Sequence, residues 1–209
     1  MGYKIHPRKP PVKDAGGKLL SVDEYLGPRC EEAQRVGRPF LFHSDADEPQ
    51  TCTLPQIGKL AQRYPDTAFI AGHLGAYTQE YQGDPLTPAE WEPMLPRILA
   101  ENFEHLLDID NLYAETTLIG RDYPERSADP EFKLKHMIRL ADSYSPAKRK
   151  ALAAKLFIGT DYPWFYKKDD PKGGYRFQRE CLARVLKEDF DETGMTKRFL
   201  ALLPDRAGA

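Results

Sequence analysis

Five short apolar runs in this sequence each lead into a side chain that can bind a metal ion or move a proton. Tyr3–Ile5 runs into His6, and Pro39–Phe42 into His43. Thr67–Ala71 is followed, one glycine later, by His73. Leu112–Ala114 runs into Glu115, and Leu156–Ile158 leads through Gly159-Thr160 to Asp161. Imidazoles and carboxylates are ligands for divalent cations, zinc above all. The same two groups are the commonest general acids and bases. Such residues at the ends of successive runs predict a metal or proton-transfer site, built where the runs end.

Each of these residues also has a plainer reading. His43 precedes an acidic loop (Asp45, Asp47, Glu48), itself read as solvated, and could be a rim histidine with ordinary hydrogen bonds. His73 lies between Gly72 and Gly75 and could simply sit in a turn. Asp161 stands before Tyr162-Pro163, a position that favours turn initiation. His6 precedes Pro7, which holds a residue extended, so it could merely end its strand. Lys4 shares a side with His6 by the period of two and points inward or lies at an edge. Glu115 is either a substrate contact or a structural ion-pair partner. Trp164, with Tyr162, Phe165 and Tyr166, either lines a substrate mouth or packs on a rim. The stretch from Lys167 to Gly174 reads as a surface loop of the kind that forms lids. His105 and His136 fall within helical patterns and read as surface or packing residues.

The elements that must position these groups alternate. The runs are short and rich in aromatic, Ile or Leu residues, as strands buried on both faces are. Between them lie helical patterns with start signals. Ser21-Val22-Asp23-Glu24 is a capping box ahead of a stripe at Tyr25, Leu26, Cys30, Ala33 and Val36. Thr53 caps a helix carrying Ile57, Leu60, Ala61 and Tyr64, ended by Pro65. Thr87-Pro88-Ala89-Glu90 opens another, continued by Leu95, Ile98, Leu99, Phe103 and Leu106. Asp129-Pro130 and Ser145-Pro146 open two more, and Phe177, Cys181, Val185 and Leu186 mark a last one.

The resulting order, five strands each followed by helix, suits either an open doubly wound sheet or a barrel. A doubly wound sheet binds ligands at one switch point, often through a glycine-rich phosphate loop. Neither Gly-x-Gly-x-x-Gly nor Gly-x-x-x-x-Gly-Lys occurs. Chemistry spread evenly over five strand ends fits a parallel α/β barrel, whose active site gathers all the carboxyl ends on one face.

Bulk properties set further bounds. The 209 residues are 41% hydrophobic and 30% charged, material for one domain spanning 1–209. A net charge of -2 calls for neither nucleic acid nor an anionic membrane. No apolar run approaches a membrane span, and the polar, basic Met1–Pro11 stretch has no signal-peptide core. Cys30, Cys52 and Cys181 form no Cys-x-x-Cys pair and read as reduced thiols, which predicts a cytoplasmic protein.

The segments Tyr3-Lys4-Ile5-His6-Pro7, Phe42-His43, Arg63-Tyr64-Pro65-Asp66 with Gly72-His73-Leu74-Gly75, Asn111–Thr116 and Phe157–Pro163 resemble, in order, barrel strands four to eight of the amidohydrolase-2 family. The strand-six and strand-eight motifs are the most specific. That family comprises metal-dependent hydrolases and non-oxidative decarboxylases of aromatic and related acids. The resemblance implies a partial (β/α)8 barrel, a single domain lacking strands one to three. By it, His43 is a metal ligand and His73 a ligand or proton-transfer group. Asp161 becomes a metal ligand that also takes a proton from water. His6, Glu115 and Trp164 are the candidates for substrate contact. The implied cofactor is a divalent ion, Zn2+ first and Mn2+ second, acting on a small organic molecule. The family's first strand carries a His-x-His ligand pair, and no two of the five histidines here are separated by one residue. Three functions follow as expectations: a metal-dependent hydrolase, a non-oxidative decarboxylase, or an inactive or split-barrel subunit. Open sheet edges predict association, with a second copy or with a partner supplying the missing strands.

Overall fold

The computed structural model describes residues 3–5, 13–18, 20–44, 53–76, 92–117, 131–159 and 173–203. Five strands form one sheet: β1 (Tyr3–Ile5), β2 (Phe40–Phe42), β3 (Phe69–Ala71), β4 (Leu112–Glu115) and β5 (Leu156–Phe157). They lie in chain order, β1-β2-β3-β4-β5, and every neighbouring pair is parallel. The described helices are α1 (Val22–Arg35), α2 (Leu54–Arg63), α3 (Leu95–Asp108), α4 (Phe132–Ser143), α5 (Pro146–Lys155), α6 (Gly173–Leu186) and α7 (Glu192–Ala201).

This order decides between the two architectures. A doubly wound sheet reverses direction at its switch point. Here each strand is added beside the one before, as around a barrel. With right-handed crossovers, that progression puts the connecting helices on one face and leaves the other face inward. The fold is α/β, and its five parallel strands follow one another in the order of consecutive strands of a (β/α)8 barrel.

Register explains the two faces. Side chains alternate along a strand, so Phe40, Phe42, Phe69, Ala71, Leu112 and Ala114 share one face. All six are buried in the helix-packed core with Leu26, Cys30, Ile57, Leu60, Leu99 and Phe103. The rings of Phe40, Phe42 and Phe69 stack with centroids 5.1 to 6.0 Å apart. Leu41, Ile70 and Tyr113 occupy matching positions on the opposite face, and Glu115 and Phe157 are paired one step further on.

Local signals act as expected at several helix ends. Ser21 Oγ accepts the Glu24 N–H, and Glu24 returns a carboxylate oxygen to the Ser21 N–H at 2.8 Å. Gln56 Oε1 accepts the Thr53 N–H at 3.0 Å at the start of α2. Ser145 accepts the Lys148 N–H at the start of α5. The Thr87 box and the Asp129-Pro130 start lie outside the described residues, and helix is found from Leu95 and from Phe132.

One expectation is corrected, and one element is new. Gly173 and Gly174, assigned to the loop beginning at Lys167, open α6 instead. A favourable run of long side chains after them outweighs the poor helix propensity of two glycines at a terminus, where the entropic cost is least. Helix α7 was not anticipated. Its N-cap is Asp191, which accepts the Gly194 N–H at 2.9 Å, and its Phe199 meets Phe157 edge to face at 5.5 Å. Gly194 within its first turn hides the helical pattern from propensity. Among the described residues no helix is long and apolar enough to cross a membrane.

Candidate functional site

Three of the strand-end residues come together. His43 follows β2, His73 follows β3 and Glu115 ends β4. The register places Phe42 beside Ala71, and Ala71 beside Ala114, so the next residues of three adjacent strands meet at one edge. Nε2 of His73 stands 3.1 Å from Nδ1 of His43, and the rings cross at 75° with centroids 4.7 Å apart. Both are buried, at 6% and 3% exposure.

The backbone that carries His73 is unusual. Gly72–Gly75 forms a single 3-10 turn in which His73 (φ 55°, ψ 25°) and Leu74 (φ 59°, ψ 19°) are left-handed, followed by Gly75 at φ 63°. For residues with a Cβ that conformation costs roughly 1–2 kcal/mol each. Glycine is required at 75 for a second reason, because a Cβ there would lie 2.6 Å from Leu54 Cβ. Side chains from several elements hold the turn. Ser44 donates its hydroxyl to Gly72 O. Glu115 Oε1 accepts the His73 N–H at 2.7 Å. The amide of Asn102, on α3, donates to Leu74 O at 2.8 Å and to Gly75 O at 3.1 Å.

Glu115 is engaged with backbone on both carboxylate oxygens. Besides the His73 N–H on Oε1, its Oε2 accepts the Thr117 N–H at 2.9 Å and the Thr117 hydroxyl. Oε1 also lies 3.7 Å from His73 Nδ1, a Coulombic rather than hydrogen-bonding distance. The carboxylate reaches across to the tip of β5, since a Cβ on Gly159 would fall 1.4 Å from Oε2. Glu115 thereby spans the tips of β3, β4 and β5.

Asp161, His6 and Trp164 lie outside the described residues. His105 lies on α3 and His136 on α4, away from the strand tips. Burial lowers the His136 imidazole pKa, aided by Arg139. Cys30 and Cys181 are buried helix residues. Asn102 was missed by the sequence reading. Its signal was a lone amide inside the apolar stripe Leu95, Ile98, Leu99, Phe103 and Leu106, where an unpaired polar group would be costly.

The pair of imidazoles can be tested against a metal ion. Two nitrogens on one tetrahedral zinc, each at roughly 2.0–2.1 Å, lie about 3.3 Å apart. The His43 and His73 nitrogens are 3.1 Å apart, so the donors present fit two positions of such a ligand set. No group of three or more His, Cys, Asp and Glu side chains among the described residues is arranged to hold a metal. Without an ion, the same spacing suits one shared proton, with donor and acceptor set by the tautomers.

No family model matches the chain, and no curated protein is similar to it. Solved structures are. A dihydroorotase from Campylobacter jejuni is 18% identical, with a TM-score of 0.49, over 98% of this chain and 59% of its own. An uncharacterised TIM-barrel protein from Bordetella bronchiseptica is 16% identical, with a TM-score of 0.46, over 88% of this chain and 53% of its own. A 2,6-dihydroxybenzoate decarboxylase from Rhizobium is 14% identical, with a TM-score of 0.35, over 85% and 60%. The chain spans about three fifths or less of the length of each.

Proposed function

We propose that residues 1–209 form one domain equivalent to strands four to eight of an amidohydrolase-2-type barrel, and that it serves a metal-dependent hydrolase of a small organic substrate. The observation that carries this reading is the 3.1 Å approach of two buried imidazoles from adjacent strand tips. His43 and Asp161 would hold a divalent cation, Zn2+ or Mn2+. Such a cation supplies Lewis acidity and brings the pKa of water down to about 7. Burial of His73 excludes bulk water from its ring, and the 3.1 Å contact with His43 supports its Nε2 as the atom that would hold or pass a proton. Glu115, proposed from sequence as a substrate contact, spends its carboxylate on the His73 and Thr117 backbone. That geometry supports a positioning role for Glu115, while His6 and Trp164 remain the proposed substrate contacts. Among the described residues the sheet ends at β1 and at β5, and a second copy or another polypeptide would cover those edges.

The test is metal analysis of the purified chain, alone and with candidate completing partners, beside two assays. One follows hydrolysis of C–N and C–O bonds in small substrates, and the other follows CO2 release from aromatic acids. A bound cation lost in His43→Ala, with hydrolysis lost in Asp161→Ala, is the expected result. CO2 release in place of hydrolysis assigns the decarboxylase reading. Neither metal nor turnover in any combination overturns the enzyme reading and leaves a binding or structural subunit.

A further inference from the structure

Two helices reach the turn that carries His73: Leu54 of α2 packs against Gly75, and Asn102 of α3 supplies hydrogen bonds. Asn102 is 2% exposed on the sheet-facing side of α3, among Leu99, Phe103 and Leu106. Its Nδ2 meets two successive carbonyls, Leu74 O at 2.8 Å and Gly75 O at 3.1 Å. Both partners are pure acceptors, so the group facing them must be the NH2, and the amide orientation is determined by the contacts.

Those two carbonyls belong to the left-handed turn that carries His73. In an ordinary right-handed turn they would point elsewhere. The turn's other side is held from the strand tips, by Ser44 at Gly72 O and Glu115 at the His73 N–H. Asn102 holds the far end of the turn, at Leu74 O and Gly75 O. An acceptor-only Asp at this position would face two carbonyl oxygens, and a Leu of similar size would leave both without a donor.

We propose that Asn102 is a positioning residue for His73: its amide holds the left-handed turn, and through it sets the approach of the His73 ring to His43. The inference deepens the reading in which His73 is the proton-handling group, but its test needs no turnover. In full-length protein with 15N-labelled histidine, imidazole spectra recorded at one neutral pH without metal report tautomer and exchange for each ring. The wild-type His43 and His73 rings give a coupled, single-tautomer pattern distinct from those of His105 and His136. Asn102→Leu and Asn102→Ser collapse that pattern toward tautomer averaging, while core methyl resonances keep their positions. If either folded variant is merely less heat-stable and its His43 and His73 spectra are unchanged, the proposal is overturned. Should both variants fail to fold, the wild-type chain still decides. Through-hydrogen-bond couplings from Asn102 Nδ2 to the Leu74 and Gly75 carbonyl carbons are expected, and absence of both overturns it. Loss of metal binding or of hydrolysis alone would count against the functional reading and leave these spectra untouched.

Discussion

His73 Nε2 and His43 Nδ1 face one another at 3.1 Å, with room between them for a single proton. Two imidazoles from adjacent strand tips are thereby brought into direct contact.

Replacing His73 by Gln keeps a polar group at the site and removes the titratable ring. In the assembled enzyme, kcat falls by about 10²–10⁴, the usual share of a general acid or base. Metal content changes less than it does in His43→Ala. Steady-state kinetics and elemental analysis of the same preparations check both halves. Full activity in His73→Gln would show that the ring has no part in proton transfer.

Gly159→Ala sets a methyl against a carboxylate, because the new Cβ falls 1.4 Å from Glu115 Oε2 and 2.5 Å from Thr117 Oγ1. The expected loss of stability is about 1–3 kcal/mol, as for other forced overpacking. Glu115→Ala removes the nearer obstacle and leaves Thr117 Oγ1, so part of the cost is relieved and the two substitutions are not additive. A double-mutant cycle by denaturant unfolding should return a coupling of about 0.5–3 kcal/mol. A coupling of zero would mean that the Glu115 carboxylate does not lie over Gly159.

Burial pushes the Cys30 thiol up to about 12 and the Cys181 thiol up to about 11, with Asp23 adding to the effect at Cys30. Because the thiolate is the reactive form, neither should alkylate at pH 8 in the native protein. Mass spectrometry after iodoacetamide treatment checks this, with both labelled once the chain is unfolded. Fast native labelling at Cys30 would place it at the surface instead of on the buried face of α1.

Glu104 accepts hydrogen bonds from Lys148 Nζ and Tyr144 Oη, tying α3 to α5 and to the end of α4. The Lys148 bond, with Tyr144 and the Lys148 charge behind it, lowers the Glu104 pKa below its ordinary 4.5. A carboxyl lowered in the folded state stabilises above its unfolded pKa, and that contribution disappears as pH falls through the folded pKa. Both partners are more than a third exposed, so screening limits the effect to a few tenths to about 1 kcal/mol. Unfolding free energies of wild type and Glu104→Gln should therefore differ at pH 7 and converge toward pH 3. A gap that widens on acidification contradicts the assignment.

Much of the scaffold could be read from sequence because it is local. Caps at Ser21, Thr53 and Ser145 act within three residues, and short apolar runs declare buried strands through composition. Those signals predicted five parallel strands alternating with helices, and a polar residue at each tip. Whether the sheet reversed or progressed was not local, and the strand order decided it. Which tips meet was also a tertiary matter. Only the register of β2, β3 and β4 brings residues 43, 73 and 115 to one edge, across separations of 30 and 42 positions. Glu115 looked equally suited to substrate or to an ion pair, and folding offered it two backbone N–H groups beside a 3.7 Å approach to the His73 imidazole. Asn102 was the opposite case, a helix residue without obvious purpose until the turn at 72–75 came to rest against it. Sequence carries what neighbours along the chain can enforce, whereas hydrogen bonds between distant segments exist only after packing has chosen the partners.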